Sequence, residues 1–245
     1  MSQPTGRWAR VQSWIGEHRD LEGWLRLISP AVLYSALDER LTFREALQKA
    51  LRKPVPNFAF RRTLCLGGTA TLLFVNQIVT GVLLAIYYTP SPGAAYTSVG
   101  VIEQQIPMGW LIRQMHAWGG QLMILFVLLH MTKVFFNKAY RHPRELTWVT
   151  GTLLFFITLS FGFTGYLLPW DQRAYWASTV GTALAEGVPV IGHWLLLILR
   201  GGEEVTGLTI SRFFAVHAVV LPWITGALMV AHYIIIRRLG ISKPL

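Results

Sequence analysis

Four stretches of this chain are each long and apolar enough to cross a bilayer, and they constrain its fold more than any other feature. They cover about residues 63–88, 111–135, 146–168 and 212–236. A spanning helix needs roughly 20 predominantly apolar residues. In hydrocarbon the backbone must satisfy its own hydrogen bonds, so such runs are helices. The expected fold class is therefore all-α: a membrane four-helix bundle. Composition agrees, since 53% of the 245 residues are hydrophobic and only 14% are charged, against about 25% charged in a soluble domain. In the third run, Thr150, Thr152, Thr158 and Ser160 are polar but can bond back to helix carbonyls. A fifth apolar run, VPVIGHWLLLIL at 188–199, is too short to span and is expected to lie on the membrane surface.

The net charge of +10 would suggest nucleic-acid binding in a soluble protein, but its distribution is a topology signal. Of the 22 basic residues, 18 fall before residue 63, between Lys133 and Arg144, or in the tail with Arg237, Arg238 and Lys243. The other four, Arg113, Arg173, Arg200 and Arg212, lie at or near the opposite face. Positive charge marks the cytoplasm-equivalent (n) side, so both termini and the middle loop are expected there. Residues 1–62 form an amphipathic n-side segment, with Trp8, Val11, Trp14 and Ile15 at helical spacing and then Leu41, Phe43, Ala46, Leu47 and Leu51. Residues 63–245 form the membrane domain. The N-terminal sequence MSQPTGRWARVQSW has neither the apolar core nor the cleavage site of a signal peptide.

Two runs carry histidine pairs and two carry none. His116 and His130 are 14 positions apart in the second run, and His217 and His232 are 15 apart in the fourth. At 100° and 1.5 Å per residue, each pair faces roughly one side of its helix, with about 21–22 Å between members. The two helices run in the same direction, so His116 pairs in depth with His217, and His130 with His232. Pro222, inside the fourth run, is expected to kink the helix and to absorb the extra residue. Buried structural histidine is a fair reading for one such residue, but a poor one for four in two matched tiers, because ionisable groups in a membrane are costly and usually functional. Zinc prefers a four-ligand cluster, whereas two imidazoles facing across a bundle suit a haem iron. The other two runs carry glycines at the same interval: Gly67 and Gly81, Gly151 and Gly165. Glycine admits close approach, here expected of a porphyrin edge. A haem with both axial positions filled binds no substrate and serves as an electron carrier.

The stretches LCLGGTATLLF, GWLIRQMHAWGG, HPRELTWVTG, GFTGYLLPWDQRAYWA, GVPVIG, SRFFAVHAVVLP and RRLGISKPL resemble the cytochrome b family, in its short, split b6-type form, from about residue 38 to the C-terminus. The 15-residue interval of the fourth run is the b6-type interval, where longer mitochondrial-type members have 14. The resemblance implies a haem-carrying subunit of a quinol oxidoreductase running a Q cycle in a respiratory or photosynthetic chain. It is enzymatic only within its complex. His116 and His217 would hold a haem b on the opposite (p) side, and His130 and His232 one on the n side. Arg113 matches an arginine near the p-side propionates, and Lys133 stands where relatives often carry arginine. The resemblance also implies a third, c-type haem attached through one thioether to Cys65, the chain's only cysteine, with Arg237 near its propionates.

A p-side quinol pocket would draw on Tyr166, Trp170 and Asp171 together with a subunit IV-like chain bearing a Pro-Glu-Trp-Tyr motif, which this sequence lacks. Tyr166 and Trp170 also suit an interfacial aromatic belt. The remaining implied partners are a Rieske iron–sulfur protein, a c-type cytochrome or plastocyanin as acceptor, quinol and quinone, the lipid membrane and a second copy of the complex, with no nucleic acid. A bacterial cytoplasmic membrane is expected rather than a thylakoid. His18 and His142 read as solvated surface groups, and His193 has no assigned role. The alternatives are the dihaem anchor of a hydrogenase or formate dehydrogenase, against which the LPWD segment and the CLGG cysteine argue, and a non-redox membrane subunit.

Overall fold

The computed structural model describes residues 65–240; the expected amphipathic segment over 1–62 lies outside them, as does Lys243. The described residues are helical throughout, without strands. In chain order the helices are α1 (Leu66–Ala85), α2 (Ala95–Gln104), α3 (Gly109–Phe136), α4 (Glu145–Leu167), α5 (Gln172–Glu186), α6 (Gly192–Arg200), α7 (Gly207–Ala215) and α8 (Leu221–Leu239). A π-helical turn over Val216–Val220 joins α7 to α8, so residues 207–239 form one continuous rod. That rod and α1, α3 and α4 are the four membrane-crossing helices, within a few residues of the expected runs. Helix α1 packs on α3, α3 on α4 and α4 on α8, and the π-turn touches α1 to close the ring.

The bundle is inverted relative to a soluble protein. Its large apolar side chains point outward: Trp223 is 78% exposed, and Leu72 and Phe136 are each 70% exposed. The buried positions within the spans include Thr80, Thr150, Thr158, Thr164 and Thr225 beside glycines. Small residues let membrane helices approach, and lipid solvates the apolar exterior. Each of these threonines donates to the carbonyl four residues earlier, for example Thr158 to Leu154 at 2.8 Å and Thr225 to Leu221 at 2.7 Å. Thr152 and Ser160 do likewise, as expected of hydroxyls in these spans.

A π-turn stands beside the proline at which a kink was expected. The Leu221 N–H donates to the Val216 carbonyl five residues back, just before Pro222 enters α8. Proline brings no N–H, so the local ladder shifts. A single π-turn takes up one additional residue, which is the difference between the 15- and 14-residue histidine intervals.

The connections hold more helix than their sequences suggested. Helix α2 lies in the 89–110 loop, and its junction with α3 is so tight that a Cβ on Gly109 would stand 1.9 Å from the Ile102 carbonyl oxygen. In the 169–211 loop α5, α6 and α7 pack together and bury Ala174, Ser178, Thr182, Leu196, Thr209, Ile210 and Phe213. The short run expected on the membrane surface forms α6, with Gly192 and Leu196 buried and Trp194 and Ile198 outward. Arg200 ties this cap together. Its guanidinium donates to Thr182 Oγ1 (2.7 Å), the Glu203 carbonyl (2.6 Å) and the Thr179 carbonyl (3.1 Å). Arg212 donates to the Leu197 and Ile198 carbonyls at the end of α6, satisfying acceptors that a helix terminus leaves open.

Candidate functional site

The structure brings the four histidines into two tiers. His116 on α3 and His217 on the π-turn face each other with ring centroids 6.2 Å apart and planes at 69°. An aromatic edge contact also falls at this distance, so spacing alone does not decide what the pair is for. It does fit a shared metal: a metal–nitrogen bond of about 2 Å on each side, with roughly 1.1 Å from nitrogen to ring centre, gives about 6.2 Å. His130 and His232 form the second tier, close enough to interact electrostatically.

Hydrogen bonding at Nδ1 separates the readings. Thr80 Oγ1 lies 2.9 Å from His116 Nδ1, Thr164 Oγ1 2.9 Å from His217 Nδ1, and Thr150 Oγ1 2.8 Å from His232 Nδ1. Each hydroxyl already spends its proton on its own helix: Thr80 on the Asn76 carbonyl at 2.6 Å, Thr164 on Ser160 at 2.7 Å, Thr150 on Leu146 at 3.0 Å. A hydroxyl has one proton, so each threonine oxygen accepts from the imidazole. The proton is thereby fixed on Nδ1, and Nε2 carries the free lone pair. This outer arrangement is characteristic of metal-ligating histidine, because it fixes the tautomer, orients the ring and raises ligand basicity. With Nδ1 so engaged, each of the three rings keeps Nε2 free, the arrangement a metal ligand needs.

Each glycine of the matched intervals lies against one of these rings. A Cβ on Gly81 would meet His116 Cε1 at 3.1 Å, on Gly165 His217 at 2.7 Å, on Gly67 His130 at 3.3 Å and on Gly151 His232 at 3.4 Å. Thus α1 backs the α3 histidines and α4 backs those of the fourth span. The nearest side chain to each glycine is the imidazole, so its immediate service is to the ring. The sequence reading missed the threonine anchors, although a signal was present. Three glycines follow a threonine (Thr80-Gly81, Thr150-Gly151, Thr164-Gly165), so a glycine against the ring places a hydroxyl beside its nitrogen. Between the tiers, Gly119 lets the Asn76 and Gln77 amides lie against α3, where a Cβ would come within 2.3 Å of Gln77 Nε2.

The other expected site residues are placed as follows. Arg113, in the first turn of α3, is ion-paired with Glu103 of α2. Lys133, one turn beyond His130, interacts electrostatically with Cys65, and Arg237 lies in the last turn of α8. Asp171 caps α5, accepting from the Ala174 N–H at 2.8 Å. Trp170 has a left-handed backbone (φ 52°) and meets Tyr175 edge-on at 6.1 Å. Tyr166 is 54% exposed. Tyr88 ties this corner to the end of α1, donating to the Leu168 carbonyl at 2.6 Å. His193, unassigned from sequence, lies between Glu186 and Glu203, at 3.8 and 3.7 Å.

The comparisons bear on all of this. A family model described as cytochrome b/b6/petB matches residues 51–240. Cytochrome b6 of Heliobacterium modesticaldum is 45% identical over 210 residues, covering 85% of this chain and 99% of the relative. Cytochrome b6 of Synechococcus sp. (strain JA-3-3Ab) is 42% identical over 216 residues, covering 87% and 99%. Among solved structures, a chain of a hyperthermophilic respiratory Complex III matches with TM-score 0.70 and 32% identity. That match covers 86% of this chain and 56% of the Complex III chain, so this chain spans little more than half its length.

These findings correct one expectation. They are matches to cytochromes b and b6 and support two b haems, with no covalent c-type haem; the third haem on Cys65 is withdrawn. Cys65 is the only cysteine and cannot supply the two thioethers of an ordinary c-type attachment. It stands at the N-cap of α1, its Cβ 3.7 Å from where a Cβ on Gly68 would lie. Four membrane-crossing helices, two histidine tiers and these relatives converge: the chain belongs to the cytochrome b/b6 family, multi-pass membrane proteins of electron transport.

Proposed function

We propose that this chain is the dihaem subunit of a quinol oxidoreductase. His116 and His217 would ligate a haem b on the p side, and His130 and His232 one on the n side. Two such haems supply reversible one-electron transfer between the membrane faces, the chemistry a Q cycle requires. The chain's own residues do the positioning. Thr80, Thr164 and Thr150 hold the Nδ1 protons, which would leave each Nε2 to meet an iron, and four glycines let the rings seat against α1 and α4. Arg113, held by Glu103, serves the p-side propionates, and Lys133 lies near the n-side pair. The observation that carries this reading is the threonine-fixed tautomer of three facing imidazoles, repeated at two depths.

The enzyme is complete only in a complex. A subunit bearing Pro-Glu-Trp-Tyr would finish the p-side quinol pocket beside Tyr166, Trp170 and Asp171, and a Rieske protein and a c-type cytochrome would take the second electron of each quinol. Both termini lie on the n side of a bacterial cytoplasmic membrane in this reading, in a dimeric complex. Pyridine haemochrome analysis of the purified complex tests it. His116→Ala or His217→Ala is expected to remove one b haem, and His130→Ala or His232→Ala the other. Unchanged haem content in all four variants would refute the assignment.

A further inference from the structure

The four histidine seats share a glycine against the ring and differ in the residue that precedes it. At three of them the residue before the glycine is threonine. At the fourth, Gly67 follows Leu66, and His130 Nδ1 is buried with no hydrogen-bond partner among the described residues. The geometry is otherwise matched. A Cβ on Gly67 would stand 3.6 Å from His130 Nδ1, and one on Gly81 3.7 Å from His116 Nδ1, where the preceding Thr80 makes its bond. A hydroxyl at position 66 would therefore reach His130 as Thr80 reaches His116.

We infer that Leu66 sets the redox balance between the two tiers by withholding a hydrogen bond from His130. The inference rests on the haem reading above. An imidazole whose Nδ1–H donates to an oxygen is a more basic ligand, and a more basic ligand stabilises ferric over ferrous iron. The His116/His217 pair has two anchored rings and the His130/His232 pair has one. The n-side pair is the poorer electron donor to its metal, so an electron is held more strongly there. The asymmetry biases transfer from the p tier to the n tier with no difference in ligand type. Lys133, one turn from His130, places positive charge on the same side and acts in the same direction.

Leu66→Thr and the nearly isosteric Leu66→Val separate the hydroxyl from the shape change. Both would be made in the intact complex, with optical redox titration of the two b haems and haem stoichiometry measured in parallel. Leu66→Thr is expected to lower the n-side potential by up to a tenfold change in its reduction equilibrium, about 59 mV for one electron, leaving the p-side potential in place. Leu66→Val should move neither. Thr150→Val, which strips the remaining anchor from the n-side pair, should raise the n-side potential, and it carries the test if Leu66→Thr does not assemble. Identical potentials in Leu66→Thr and Leu66→Val, with both haems at full stoichiometry, would overturn the inference, as would an unmoved n-side potential in Thr150→Val. A wild-type complex lacking two b haems would instead overturn the reading beneath it.

Discussion

Gly165→Ala tests the seating of the ligands most sharply. The added methyl would stand 2.7 Å from His217 Cε1, 3.3 Å from Nδ1 and 3.4 Å from Nε2. Carbon atoms prefer about 3.5 Å or more, so the ring must retreat by roughly 0.8 Å. A retreat of that size stretches the 2.9 Å contact between Thr164 and His217 beyond hydrogen-bonding range. Overpacking costs about 1–3 kcal/mol and the lost bond about 0.5–1.5 kcal/mol, together about 1.5–4.5 kcal/mol. At 1.4 kcal/mol per tenfold, the p-side haem should be held about 10- to 1600-fold less tightly, while the n-side haem stays. Gly151→Ala is the internal control: its methyl would meet His232 at 3.4 Å, close to ordinary contact, and should cost a few-fold at most. The assay is haem content and reduced-minus-oxidised spectra of the purified complexes under detergent challenge. Equal retention of both haems in the two variants would refute the argument that these glycines exist to seat the rings.

Three further outcomes are expected. Arg200→Met removes three donated hydrogen bonds from the α5–α7 cap and should destabilise it by about 2–4 kcal/mol, read as faster hydrogen exchange over residues 169–211 with the haems retained. Asp171→Ala should fray the start of α5 at a cost of about 1 kcal/mol, whereas Asp171→Asn, an equally good cap, should preserve the helix; quinol oxidation lost equally in both variants would assign the carboxylate a role beyond capping. Deleting one residue among Ala218, Val219 and Val220 should turn the π-turn into α-helix and keep two b haems, while the same deletion at Leu228 should cost the n-side haem; loss in both would contradict the register argument.

The features legible in sequence were those written in spacing and polarity. Apolar length marked the four spans, and helical periodicity placed His116 beside His217 and His130 beside His232, because both signals survive any detail of packing. Helices α2 and α5 escaped because AYTSVGVIEQ and QRAYWASTVGTALAE are too mixed to read as spans, and their helicity depends on tertiary contacts such as the Ile102–Gly109 junction. The threonine anchors were half legible. Back-bonding by Thr150 was expected from its place in an apolar run, but its second bond, to His232, depends on how α4 meets α8. Asp171 read as a pocket candidate because it lies in a recognisable motif, while its observed bond is a local cap to Ala174 that the motif does not announce. Cys65 misled for a related reason: the resemblance placed a cofactor on a residue that, from spacing and composition alone, is a single small side chain at the end of a span.

The π-turn at Val216–Val220 has a consequence for how members of this family correspond to one another. A one-residue difference in a membrane helix ordinarily rotates everything beyond it by 100°, carrying His232 and Arg237 off their faces of the helix. Here the surplus residue is confined to a single wide turn beside Pro222, between the α-helical stretches that precede and follow it. Intervals of 14 and 15 are then two lengths of chain with one placement of ligands. When such sequences are aligned on their histidines, the gap belongs within residues 216–221 rather than in a loop, and it corresponds to a physical loop of slack in the ladder. The fourth span can gain or lose a codon there without changing what it holds.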